Sequence, residues 1–192
     1  MSNEKNLMEK IREGDEEAFS LLVEEMLLPA YKTAYLVLRS KELAEDAVQN
    51  ALEDCYISIM KNKDIRHFKA WFYRLVYSRS IDLYRKNARS AFSDIEENPE
   101  ALLKMKADSA QNCAIQKETQ TEMIDMIMEL DRNYSLPILL HYYEGLSMKE
   151  ISLVLNENVN TIKTRLTRGR KKLADLIRKN KNYPLEVNSY GI

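Results

Sequence analysis

Residues 147–178 read SMKEISLVLNENVNTIKTRLTRGRKKLADLIR, and their pattern of apolar and polar residues predicts the fold of the second half of the chain. Ser147 and Glu150 match the S-x-x-E pattern of a helix capping box, and apolar residues follow at helical spacing. Three polar residues, 156–158, separate this helix from a second one that begins near Val159. Two helices joined by such a short turn predict a helix-turn-helix.

The second of these helices has two contrasting faces. The apolar face carries Ile162, Leu166, Leu173 and Ile177, with Gly169 on the same side allowing close packing. The opposite face carries short polar and long basic side chains, namely Asn160, Thr164, Thr167, Arg168 and Lys171, flanked by Lys163 and Arg165. Such a face suits base edges and phosphates in a DNA major groove. The alternative is an ordinary amphipathic helical hairpin.

The composition of the chain excludes several classes of protein. Its 192 residues give room for one large domain or two small ones, and only 4 Gly and 4 Pro argue against an all-β fold. With 2 Cys, 2 His, no P-loop and no plausible triad, we expect no metal, no cofactor, no small-molecule substrate and no enzymatic activity. No apolar run reaches the length of a membrane span and no secretory signal is present, so we expect a cytoplasmic protein.

The charges are segregated along the chain although the formal net charge is only −1. Residues 61–90 hold nine Lys or Arg against two Asp or Glu, and residues 161–181 hold nine against one. The segments before each of them, 1–60 and 91–160, are acidic. Two basic stripes favour two separate contacts with a nucleic-acid backbone. The alternative is two solvated helix faces.

The first half of the chain also has helical periodicity. We expect helices at about 16–38, where Pro29 would kink or split the helix, at 41–60 after the N-cap Ser40, and at about 68–87. Residues 90–112 are turn-rich and acidic and predict a linker with a short helix at 101–106. Helical periodicity resumes near residue 116. A further helix is expected to start at Ser135-Leu-Pro, with Pro137 in its first turn, and to end at Gly145.

The helix at 68–87 carries a candidate single-strand-binding face. Its apolar side, Phe72, Leu75, Val76 and Leu83, is the predicted core face. On the other side, basic residues accompany a stripe of aromatic residues that consists of Tyr73, Tyr77 and Tyr84. Exposed aromatic rings beside basic groups are typical of single-stranded nucleic-acid binding. The alternative is that these tyrosines pack against another helix. Arg79 falls within the apolar arc, which the sequence does not explain.

The helix at 41–60 has an apolar face and, opposite it, a polar face formed by Asp46, Gln49, Asn50 and Glu53. Such a face is either solvated or a platform for a partner protein. Two nucleic-acid-binding regions and one acidic platform in the same chain indicate a protein that connects DNA to a partner.

Four segments resemble the bacterial RNA polymerase sigma factors, in particular the extracytoplasmic-function branch. They are GDEEAF at 14–19, AEDAVQ at 44–49, FKAWFYRL at 68–75 and NTIKTRLTRGR at 160–170. The resemblance covers residues 8–90 and 118–178. It implies an all-α protein with two small helical domains joined by a flexible linker. These would be a region 2 domain at 1–90, a linker at 91–115, a region 4 helix-turn-helix domain at 116–180 and a tail at 181–192.

The resemblance implies a function for each block. The polar face with Asp46, Gln49, Asn50 and Glu53 would bind core RNA polymerase. The minus-ten element of promoter DNA would be read and opened by Lys61, Lys63, Arg66, Tyr73, Arg74, Tyr77, Ser78 and Arg85. For the upstream, minus-thirty-five element, Lys163, Thr164, Thr167 and Arg168 would lie near bases, Thr161 and Arg165 near phosphates, and Asn160 and Lys171 on the same face. The family also implies an anti-sigma factor, which could hold the chain at the inner face of the membrane.

Two residues depart from the family pattern. Asn160 stands where Gly is usual, and Ser78 stands where an Asn commonly helps to read the minus-ten element. The competing hypothesis is a stand-alone dimeric helix-turn-helix regulator, which would need a symmetric operator and no polymerase-binding platform.

Overall fold

The computed structural model describes residues 2–97 and 119–179, and the regular structure within those ranges is helical. The first domain contains α1 (Ser2–Arg12), α2 (Glu16–Leu38), α3 (Lys41–Met60) and α4 (Phe68–Glu97). The second contains α5 (Thr119–Glu129), α6 (Arg132–Ile138), a π-helical turn (Leu139–Tyr143), α7 (Met148–Leu155) and α8 (Val159–Lys179). The predicted all-α fold is confirmed. No helix in the described ranges is both long and apolar enough to cross a membrane.

Side-chain caps set the boundaries of α2 and α3 where the sequence predicts them. Asp15 begins α2 by accepting a hydrogen bond of 3.1 Å from the backbone N–H three residues on, and Ser40 begins α3 in the same way at 3.3 Å. Between them, Arg39 ends α2 in the left-handed conformation with φ of 54°. Pro29 does not split α2, which is continuous through it.

Several helices differ from the sequence prediction. Helix α1 was not predicted. Helix α4 continues ten residues beyond residue 87, so residues 91–97, predicted as linker, belong to it; no Gly or Pro interrupts the chain before Pro99. The rest of the linker, with its expected helix at 101–106, and the tail at 181–192 lie outside the described residues.

The helix predicted to start at Ser135 begins three residues earlier, at Arg132. Asp131 caps it by accepting a hydrogen bond of 2.8 Å from the backbone N–H of Asn133. Pro137 consequently lies inside α6 rather than in its first turn, and the π-helical turn follows directly.

The core of the first domain lies between α2, α3 and α4. Of the predicted core face, Phe72 and Val76 are fully buried there, whereas Leu75 and Leu83 are half-buried. Arg79, which the apolar pattern did not explain, pairs with Asp54 of α3: its Nε lies 2.6 Å from Oδ2. The side chain is 42% exposed, so this ion pair lies at the edge of the core and joins α3 to α4.

The two domains pack against each other. Helix α4 contacts α7, and α2 contacts α6, so that one apolar core extends through both domains. This packing determines which of the candidate DNA-binding side chains are accessible.

Candidate nucleic-acid and polymerase interfaces

Local hydrogen bonds set the start of α7 and the turn between α7 and α8. Glu150 Oε2 accepts from the Ser147 backbone N–H at 2.8 Å, and Ser147 Oγ accepts from the Glu150 backbone N–H at 3.3 Å, which is the predicted capping box. The hydrogen bonds from the Ser147 side chain and backbone lower the pKa of Glu150. Asn156 then ends α7 with φ of 52°, and Asn158 Oδ1 accepts from the Asn160 backbone N–H at 2.8 Å.

Helix α8, the second helix of this motif, presents its two faces as the sequence predicts. Ile162, Leu166 and Gly169 are buried against the rest of the domain, while Leu173 and Ile177 are half-buried. The predicted base-side residues are exposed, namely Asn160, Lys163, Thr164, Thr167, Arg168 and Lys171. The surface is therefore free to enter a groove as wide as the major groove of DNA.

The two residues assigned to phosphates lie at the edge of this surface. Thr161 and Arg165 are half-buried, and Arg165 Nη2 lies 3.0 Å from Glu157 Oε1 in the turn. A shallow groove at the start of α8 is lined by both of them, by Thr164 and Arg168, and by side chains of α6. An Arg165 held by a carboxylate must exchange that partner to reach a phosphate.

The loop before α4 presents the predicted basic residues to solvent. Lys61, Lys63 and Arg66 are all exposed, and Arg66 pairs at 2.9 Å with Asp64, also exposed. On α4 itself the accessible members of the predicted minus-ten set are Arg74, Ser78 and Arg85. These six side chains form the accessible part of the candidate minus-ten surface.

The predicted aromatic stripe is wrong for Tyr73, which is fully buried. Its hydroxyl donates a hydrogen bond to Glu144 of the second domain. Tyr77 is half-buried, and burial raises its pKa. Only Tyr84, 44% exposed, keeps the predicted accessibility, and the guanidinium of Arg132 lies 5.1 Å from its ring centroid. The sequence-based alternative is that these tyrosines pack against another helix. Tyr73 is indeed packed inside the protein, where its hydroxyl meets Glu144 just after the π-helical turn of the second domain.

The candidate polymerase surface lies on the outer side of α3, where Asp46, Gln49, Asn50 and Glu53 are all exposed. Sequence reasoning missed that this stripe continues into two exposed apolar residues, Ile57 at 47% and Met60 at 43%. The alternating spacing of three and four residues from position 46 to position 60 could have revealed it.

Comparison with known proteins places both domains. The family model described as Sigma-70 region 2 matches residues 22–90, and the family model described as Sigma-70, region 4 matches residues 120–173. A solved structure of the sigma factor RpoE in complex with the anti-sigma factor NepR, from Bartonella quintana, superposes with a TM-score of 0.62 at 19% identity. The superposition covers 83% of this chain and 98% of that one, and it shows that the fold is shared.

Two curated relatives come from Bacillus subtilis (strain 168). The ECF RNA polymerase sigma factor SigW is 29% identical over 180 residues, which are 91% of this chain and 96% of SigW. The RNA polymerase sigma factor SigV is 30% identical over 141 residues, or 73% of this chain and 80% of SigV. The chain is therefore not an enzyme but an alternative sigma factor, and it belongs to the extracytoplasmic-function branch of the bacterial RNA polymerase sigma factors.

Proposed function

We propose that this sigma factor, once bound to core RNA polymerase, divides promoter recognition between domains at 1–90 and 116–180. The second domain reads the minus-thirty-five element by placing α8 in the major groove. Lys163, Thr164, Thr167 and Arg168 then approach base edges, Thr161 and Arg165 approach phosphates, and Asn160 and Lys171 extend the same face. The observation that carries this proposal is the exposed polar and basic face of α8, opposite a face that packs on α6 and α7.

The first domain acts on the minus-ten element. Lys61, Lys63 and Arg66 hold phosphates of the opening duplex, and the exposed Arg74, Ser78 and Arg85 of α4 follow the unpaired strand. Tyr77 stacks on an unpaired base from its half-buried position. Tyr73 takes part only after the second domain moves away from α4, because Glu144 covers its hydroxyl.

The outer side of α3 binds the polymerase. Asp46, Gln49, Asn50 and Glu53 supply its polar part, and Ile57 and Met60 add an apolar end. Protein interfaces commonly combine a polar rim with a desolvated apolar centre, and this stripe offers both along one helix.

An anti-sigma factor is the regulatory partner that we assign to this chain. The similar RpoE is in complex with the anti-sigma factor NepR. The chain then works in the cytoplasm, and a membrane-anchored anti-sigma factor would hold it at the inner face of the membrane until release.

Run-off transcription with core polymerase on genomic templates tests the proposal. We expect discrete promoter-dependent transcripts only when this chain is added. Binding of the chain to a palindromic duplex without polymerase, together with no gain in transcription, would instead support the stand-alone dimeric regulator.

A further inference from the structure

We propose that the free chain closes on itself and covers the aromatic part of its minus-ten surface, formed by Tyr73 and Tyr77, and that contacts around Glu144 hold this closed form. The inference rests on the proposed function of α4 and adds a regulatory step to it. The two domains must separate before Tyr73 can contact an unpaired strand, so the closed form weakens single-strand binding without any partner.

Glu144 joins the second domain to α4. It directly follows the π-helical turn, precedes Gly145 with its φ of 69°, and its side chain is only 7% exposed. The hydroxyl of Tyr73 donates to Glu144 Oε2, and Lys69 Nζ lies 3.2 Å from the same oxygen. A buried carboxylate is costly unless it is paired, and both partners belong to α4. The carboxylate thus joins the second domain specifically to the helix that is assigned to the minus-ten element.

Three further contacts join the domains. The guanidinium of Arg39, at the end of α2, donates at 2.7 and 3.3 Å to two backbone carbonyls at the carboxyl end of α5, where the helix dipole favours a cation. His67 Nδ1 lies 3.5 Å from Glu150 Oε1. Arg132 covers the ring of Tyr84. Residues from α2, the loop before α4 and α4 itself therefore all take part in closing the chain.

Closure affects the two DNA-binding surfaces differently. In the closed form Tyr73 is fully buried and Tyr77 is half-buried, within electrostatic range of Arg132, Glu157 and Arg165 of the second domain. The outer face of α8 stays exposed in the closed form. Closure should therefore weaken the binding of single-stranded DNA much more than the binding of duplex DNA.

The test compares full-length chains that differ only at the interface. Glu144→Gln with Arg39→Gln removes one negative and one positive charge, so the net charge is unchanged, and neither residue belongs to the proposed DNA or polymerase surfaces. The matched control, Glu24→Gln with Lys10→Gln, makes the same exchange at two exposed positions of α2 and α1.

Spin labels on Ser20→Cys and Ala174→Cys, both exposed, in a Cys113→Ser background report the distance between the domains. Circular dichroism verifies that each variant keeps its helicity.

We expect one short distance for the wild type and the control, and a longer, broader distribution for the interface variant. The variant should bind a pool of random single-stranded 20-mers about tenfold more tightly, because the apparent affinity scales with the open fraction, while duplex binding changes little. A broad distribution in the wild type, or an unchanged distance in the variant, would overturn the proposal. If the variant opens, gains no single-strand affinity and still supports run-off transcription, closure is not inhibitory while the proposed function stands. If run-off transcription fails for the wild type as well, the proposed function itself is wrong.

Discussion

Gly169 of α8 lies directly against Ile138 of α6. A Cβ atom at Gly169 would stand 2.8 Å from Ile138 Cδ1 and 3.2 Å from Tyr134 Cβ. Both distances are shorter than ordinary van der Waals contact, so the absence of a side chain at Gly169 allows α8 to pack closely on α6. The exposed face of α8 keeps its orientation because of this close packing.

Gly169→Ala should destabilise the second domain. Alanine gains about 1 kcal/mol over glycine in a helix interior, but overpacking a close contact costs about 1–3 kcal/mol, and Tyr134 Cβ is attached directly to the backbone of α6. We expect a net loss of about 1 kcal/mol in the free energy of unfolding by urea. Adding Ile138→Val removes Cδ1 and should recover part of that loss. A Gly169→Ala chain more stable than the wild type would show that α8 is not held closely on α6.

The capping box predicts a stability loss in acid. The hydrogen bonds from Ser147 hold the pKa of Glu150 below its ordinary value of 4.5 in the folded chain. A carboxylate whose pKa is lower in the folded chain than in the unfolded chain stabilises the fold at any pH above its unfolded-state pKa. This contribution is lost as the pH falls through its folded-state pKa. Unfolding measured between pH 6 and pH 3 should therefore show a smaller loss of stability on acidification for Glu150→Gln than for the wild type. Parallel curves for the two chains would exclude a contribution from this cap.

Substitutions on α3 should separate polymerase binding from folding. Asp46→Ala and Gln49→Ala remove exposed side chains on the outer side of the helix, so we expect each to weaken binding to core polymerase by more than 1 kcal/mol with little change in thermal stability. Glu45→Ala is the matched control, because it removes a neighbouring exposed carboxylate that points about 100° away. Equal losses for Asp46→Ala and Glu45→Ala would indicate a general charge effect rather than a specific surface.

Local patterns predicted much of the fold. Ser40 and Ser147 predict helix starts because a cap acts within one turn, and the faces of α3 and α8 follow from helical periodicity. Asp131 shows where this reasoning failed. It is a good capping residue four positions before Ser135, but Ser135-Leu-Pro looks like the better start because proline is favoured in a first turn.

Tertiary contacts account for what the sequence could not predict. The fully buried Tyr73 donates its hydroxyl hydrogen bond to Glu144, a residue 71 positions away in the other domain. Arg79, at the edge of the core, similarly pairs with Asp54, which lies 25 positions away on α3. A helical wheel places a side chain on a face but does not specify which element covers that face.

Arg168 and Tyr77 should affect different steps of initiation. Arg168→Ala removes an exposed long donor from α8, so it should lose about 1–3 kcal/mol of upstream binding and relax the preference at one base pair. Arg170→Ala, also exposed on α8 but on another side, is the matched control. The affinity of the polymerase complex for duplexes that vary one upstream base pair at a time measures this effect. Equal losses for Arg168→Ala and Arg170→Ala would argue against a base contact by Arg168.

The most direct test of the division between the domains is permanganate footprinting of unpaired thymines with core polymerase and the full chain. Tyr77→Ala should reduce reactivity in the minus-ten region, because a lost stacking contact costs roughly 1–3 kcal/mol of open complex, and upstream duplex binding should stay normal. Tyr77→Phe keeps the ring and should open the promoter as the wild type does, and Arg168→Ala should leave the opening of already bound promoter unchanged. Normal opening by Tyr77→Ala, or equal defects in Tyr77→Ala and Tyr77→Phe, would contradict the stacking function and with it the division of promoter recognition between the two domains.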